Sequence, residues 1–91
     1  MKDLVYPATE LEQRVLKAVR DLDGAGDEKS ITKRLRRAGL PSITTGNVRW
    51  TLSMLHSIGY VSRSSEHDAD ATYRIKLFGE RALESNYVHG T

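Results

Sequence analysis

The sequence predicts a mostly helical α+β fold: three helices, a two-stranded hairpin and a short closing helix. Three observations carry this. Two segments ahead of Pro41 place their apolar residues at steps of three and four, the spacing of one helical face. A third such segment follows the turn Leu40-Pro41-Ser42-Ile43. After Gly59 the period shifts to two, in alternating runs separated by a polar stretch.

The first helix opens on Thr9-Glu10-Leu11-Glu12, where Thr and a Glu three residues later can bond each other's backbone N–H groups. Leu11, Val15, Ala18, Val19 and Leu22 form its apolar face, and Gly24 and Gly26 end it near residue 23. Asp27 caps a second helix whose buried stripe is Ile31, Leu35 and Ala38. Gly39 supplies its left-handed stop, Leu40 packs back over the end, and Pro41 prevents resumption. Thr44 or Thr45 caps a third helix, Thr45 to Ser57, which buries Val48, Leu52 and Leu55. Tyr60–Ser64 and Ala71–Leu77 alternate as strands, with Tyr73, Ile75 and Leu77 opposite Thr72, Arg74 and Lys76. Leu77–Leu83 reads as the closing helix, and Glu84–Thr91 carries no pattern and is expected to fray.

Ninety-one residues suffice for a single domain, 1–91, with its core over about 9–84. With 38% hydrophobic and 29% charged residues, the chain reads as folded rather than disordered. It has no cysteine, which excludes disulfides, thiolate metal sites and cysteine nucleophiles. No apolar run reaches membrane-spanning length, and Met1–Pro7 lacks the apolar core of a signal peptide, so a cytoplasmic protein is expected. The net charge is only +2, but it is unevenly placed. Residues 28–50 hold Lys29, Lys33, Arg34, Arg36, Arg37 and Arg49 against Glu28 alone, whereas the flanking stretches are slightly acidic. A concentrated patch of this kind attracts anions better than the same charge spread evenly.

Two local patterns carry a resemblance. Val48-x-x-x-Leu52-x-x-Leu55-x-x-x-Gly59-Tyr60-Val61 resembles the reading helix and first wing strand of MarR-like and PadR-like winged helix-turn-helix regulators. Tyr73-Arg74-Ile75-Lys76-Leu77-Phe78-Gly79-Glu80-Arg81-Ala82-Leu83 is similar to the exit from the wing in the same families, with Lys76 where they usually have Thr. The resemblance covers about residues 9–84. It implies a winged helix-turn-helix fold, with a three-helix bundle, a two-stranded wing and a short C-terminal helix. It further implies a prokaryotic or phage transcriptional regulator that binds double-stranded DNA. One fold serves many functions, and a winged-helix protein–protein adaptor in a nucleic-acid-processing assembly is the alternative.

On that reading the helix over 44–57 enters the major groove, and its residues off the apolar stripe are the candidate contacts. Asn47 can bond adenine and Arg49 guanine, each through two hydrogen bonds. Trp50 and Ser53 lie at the groove edge, although a lone Trp is equally suited to the core or to a dimer interface. Thr44 and Thr45 are placed for phosphate at the helix start, and Asn47 for capping. Lys33, Arg34, Arg36 and Arg37 read as a clamp on the DNA backbone, the alternative being a solvated helix face. Arg63, Arg74 and Lys76 flank the hairpin loop and are the wing's expected DNA contacts, because the tip, Ser64 to Asp70, is acidic and should be repelled by phosphate.

Glu66, His67, Asp68 and Asp70 are hard-cation ligands, but they lack the spacing of a calcium loop, and His56, His67 and His89 form no ligand motif, so no metal is expected. No nucleotide-binding, zinc-protease or serine-hydrolase motif is present, so neither an enzyme nor a cofactor or small-molecule substrate is expected. A homodimer remains open, since Leu4, Val5 and Tyr6 or the first helix could supply a contact face.

Overall fold

The structure, a computed structural model, describes residues 9–65 and 70–89, the last helix by its backbone alone after residue 84. The order is α1 (Glu10–Leu22), α2 (Glu28–Arg37), α3 (Thr45–Ser57), β1 (Val61–Arg63), β2 (Tyr73–Ile75) and α4 (Leu77–His89). β1 and β2 pair antiparallel, Val61 opposite Ile75 and Arg63 opposite Tyr73. The protein is thus a mostly helical α+β fold, compatible with a winged helix.

The local signals that start and stop the helices act as their chemistry requires. Thr9 and Glu12 close a reciprocal capping box, with N···O distances of 2.9 and 3.2 Å. Asp27 caps α2 by accepting the Ser30 N–H at 2.8 Å. Of the two threonines ahead of α3, Thr44 is the cap. After α2, Gly39 takes a φ of +111° and the Leu40 N–H returns to the Leu35 carbonyl. Gly59 has a φ of +86° with open space where a Cβ would stand, so its requirement is conformational, not steric.

One core joins the elements. Val15, Leu16 and Val19 from α1 meet Ile31 and Leu35 from α2, and Val48, Leu52 and Leu55 from α3. Tyr60, Val61 and Tyr73 close it from the hairpin side, and Ala82 closes it from α4. The Tyr60 ring meets Phe78 edge-on, centroids 5.6 Å apart.

Several expectations are corrected. Leu16, absent from the expected α1 face, is fully buried. Ala38 is exposed: α2 stops at Arg37, Ala38 becomes its C-cap, and Glu28 and Thr32 complete the buried face instead. The strands are only three residues long. Leu77 is 67% exposed, because α4 begins there, one residue after the last hairpin bond, in which the Lys76 N–H donates to the Tyr60 carbonyl at 2.9 Å. The expected closing helix at 77–83 continues to His89. No Gly or Pro interrupts 80–89, and extending a helix already anchored by Phe78, Ala82 and Leu83 is inexpensive. Lys76 offers no side-chain cap of the Thr type. Its carbonyl accepts the Glu80 N–H at 3.0 Å, so its two backbone bonds fix this corner.

One pairing has no local signal. The Tyr73 N–H donates to the Gly26 carbonyl at 2.9 Å, so the α1–α2 loop flanks β2 on the side away from β1. Gly26 is buried there, where a Cβ would press on Leu22 and Ile31. Its role is close approach, not merely helix termination.

Candidate functional site

The buried stripe of α3 leaves its opposite side to solvent. Gly46, Asn47, Arg49, Trp50 and Ser53 are all exposed, and Thr45 is half-buried beside them. Trp50 is 67% exposed, so it fills no part of the core. An exposed Trp in the middle of a well-packed helix is the principal apolar feature of this face.

Asn47 is less free than its sequence position suggests. It is the third residue of α3 and completes a capping box with Thr44. The Asn47 N–H donates to the Thr44 hydroxyl at 3.1 Å, and the Asn47 Oδ1 accepts from the Thr44 N–H at 3.3 Å and from its hydroxyl at 2.8 Å. An amide must offer both oxygen and nitrogen to grip adenine. With Oδ1 committed to Thr44, the Nδ2 group is what Asn47 retains for a partner.

Arg49 lies at the edge of α3 that meets the start of α2. Its Nε donates to Glu28 Oε1 at 3.0 Å. The Glu28 side chain is only 7% exposed while that of Arg49 is 64% exposed. A carboxylate so withdrawn from water requires a partner, and Arg49 provides it from outside. Tyr73 lies within the electrostatic reach of both residues and of Arg63. Its burial is the main reason its phenol ionises above the ordinary tyrosine range; the Arg63 charge opposes that rise. The Arg63 guanidinium stands 5.7 Å from the centre of the Tyr73 ring. Arg63 thus belongs to the same corner as Glu28 and Arg49.

The basic run on α2 does not form a single face. Arg34 turns to α1 and pairs with Asp21 at 3.2 Å. Arg36 turns the other way, its Nε donating at 3.0 Å to the carbonyl of Ile43, in the turn before α3. Lys33 and Arg37 border an open groove of about 840 Å³ between α1 and α2, together with Arg14 and Lys17. Helical periodicity explains the division: residues 30, 34 and 38 fall toward α1, and residues 29, 32 and 36 toward α3. Lys29, exposed and on the α3 side, was not among the expected contacts, although the same periodicity identifies it.

The hairpin cations also separate. Arg74 reaches Asp23 in the α1–α2 loop, 3.6 Å away, and Lys76 is exposed at the start of α4. Thr44, Asn47, Arg49, Trp50 and Ser53 therefore share α3 and its cap, Arg36 and Arg63 border it, and Arg34, Arg74 and the Lys33–Arg37 edge are directed elsewhere. Of the acidic loop tip, residues 66–69 lie outside the described residues. Among the described residues no cluster of three or more His, Asp or Glu is placed to hold a metal ion, and no helix is long and apolar enough to cross a membrane.

No family model matches this chain, and no curated protein matches it significantly in sequence.

Proposed function

We propose that this chain is a winged-helix protein that binds double-stranded DNA, laying the exposed side of α3 in the major groove and acting in transcriptional regulation. The observation that carries the reading is the two-sided character of α3. Val48, Leu52 and Leu55 anchor one side in the core, while Asn47, Arg49, Trp50 and Ser53 are exposed on the other, with no element packed over them among the described residues. A helix so presented fits the width of the major groove. Arg36 and Arg63, at the borders of α3, are the phosphate-facing cations, and Thr44 lies with them at the helix start.

The test is a salt titration of binding to a pool of random duplexes, followed by selection of preferred sequences. With the two phosphates that Arg36 and Arg63 would neutralise, log affinity falls with log salt at a slope of about −2. Binding that ignores salt, or that enriches no sequence, would overturn the reading.

A second reading has its own observation. Trp50 at 67% exposure suits a protein partner as well as a groove wall, since aromatic residues anchor protein interfaces. On that reading the protein is an adaptor, and Trp50 is the centre of its contact.

A further inference from the structure

We infer that Glu28 is a positioning residue for a guanine contact made by Arg49, an inference that rests on the DNA-binding reading above. An arginine guanidinium has two edges that can form a pair of parallel hydrogen bonds. One edge uses Nε and one terminal nitrogen, and the other uses the two terminal nitrogens. Guanine presents two neighbouring acceptors, O6 and N7, to the major groove.

In this protein the first edge is already committed, because Arg49 Nε donates to Glu28 Oε1 at 3.0 Å. Among the described residues Nη1 and Nη2 find no acceptor, and the Arg49 side chain remains 64% exposed. The terminal edge is therefore the free one, and it is attached to a helix fixed in the core by Val48 and Leu52. Glu28 itself is set in place by the first turn of α2, whose start is fixed by the Asp27 cap. A long side chain that would otherwise sample many rotamers is thus ordered before a partner arrives, which reduces the entropy lost on contact.

The placement also separates two tasks. Glu28 is a carboxylate, and at an exposed site it would repel the DNA backbone. Here it is buried and paired, so it directs Arg49 without presenting its own charge to phosphate. Glu28 therefore bears on which base is chosen, and Arg36 and Arg63 on how strongly any duplex is held.

The experiment uses the full chain and a duplex selected from random sequence. Each guanine in that duplex is replaced singly by 7-deazaguanine, which lacks the N7 acceptor. For the wild-type protein, one position should lose roughly tenfold to a hundredfold in affinity. Glu28→Leu should nearly abolish that penalty while leaving the salt slope and the affinity for unselected duplex unchanged. Glu28→Gln, which keeps an acceptor oxygen, should retain part of it. A wild-type penalty that persists in full in Glu28→Leu overturns the inference. Selected, salt-dependent binding with no penalty at any guanine also overturns it and leaves the DNA reading standing. Absence of salt-dependent binding to every duplex defeats the DNA reading itself. A readout independent of DNA, and of whether Glu28→Leu folds, is the Arg49 Nε–H resonance of the free wild-type protein. It should be resolved and slow to exchange with water, and it should lose only part of that protection in Glu28→Gln, whose amide oxygen still accepts; an averaged, fast-exchanging signal in the wild type overturns the inference.

Discussion

Gly79 packs directly against the carbonyl oxygen of Tyr60, with no room between them for a methyl group. That carbonyl also accepts the Lys76 N–H, so backbone surrounds the contact and it cannot yield as a flexible side chain would. Gly79→Ala should therefore destabilise the protein by about 1–3 kcal/mol, despite the better helix propensity of alanine. Gly46 is the control. It also lies in a helix, but the nearest atom to a Cβ there is the Thr44 hydroxyl oxygen at 3.8 Å. Gly46→Ala should be neutral or stabilise by up to about 1 kcal/mol. Urea denaturation of both variants checks the contrast; equal effects would show that α4 does not seat on Tyr60 as described.

Asp27 gives a pH prediction. The Ser30 backbone and side chain, hydrogen-bonding its carboxylate, hold its pKa below the ordinary value of 3.8. A carboxyl whose folded pKa is depressed stabilises the fold above its unfolded pKa. That contribution fades as pH falls through the lower folded value. Melting temperature should thus decline on acidification below about pH 4 by more in the wild type than in Asp27→Asn. Asparagine keeps the cap but cannot titrate. Asp27→Ala should lower stability by about 1 kcal/mol at neutral pH. Parallel acid profiles for wild type and Asp27→Asn would count against the cap as the source.

What the sequence made legible was local. Thr9 with Glu12, Asp27, Gly39 and Gly59 each act on neighbours within a few residues, so their chemistry is readable in order along the chain. The Val48, Leu52 and Leu55 spacing is equally local, and it suffices to orient α3. What escaped was set by tertiary contact. Glu28 and Arg49 are 21 positions apart, and neither residue type alone announces a buried carboxylate paired to an exposed arginine. The Tyr73 link to Gly26 depends on the hairpin returning to the α1–α2 loop. The run Lys33 to Arg37 looked like one cationic surface because composition records charge but not direction; Asp21, on another helix, claims one member and the Ile43 carbonyl another.

That division of the α2 cations can be tested residue by residue. Arg36→Ala removes a hydrogen bond to the turn before α3, so it should lower stability by about 1 kcal/mol and also weaken duplex binding. Lys33→Ala and Arg37→Ala remove exposed charges at the α1–α2 groove, so stability should stay within about 0.5 kcal/mol of the wild type. Their effect on duplex affinity should be smaller than that of Arg36→Ala. Denaturation and binding isotherms on the same four proteins decide it. If Arg37→Ala weakened binding as much as Arg36→Ala, the contact face would have to extend around α2 toward α1.

Trp50 offers the cleanest separation of folding from recognition. It is the chain's sole Trp, so its fluorescence reports one site without correction. At 67% exposure its emission in the free protein should be that of a solvated indole. Trp50→Ala should leave stability within about 0.5 kcal/mol, since little burial is lost. Added duplex should quench or shift the emission if α3 occupies the groove, and Trp50→Ala should then weaken binding at every salt concentration. If duplex binds with no change at Trp50, the α3 face is not the contact. If duplex fails to bind while a protein partner moves the emission, the adaptor reading replaces DNA binding, with the same residue at its centre.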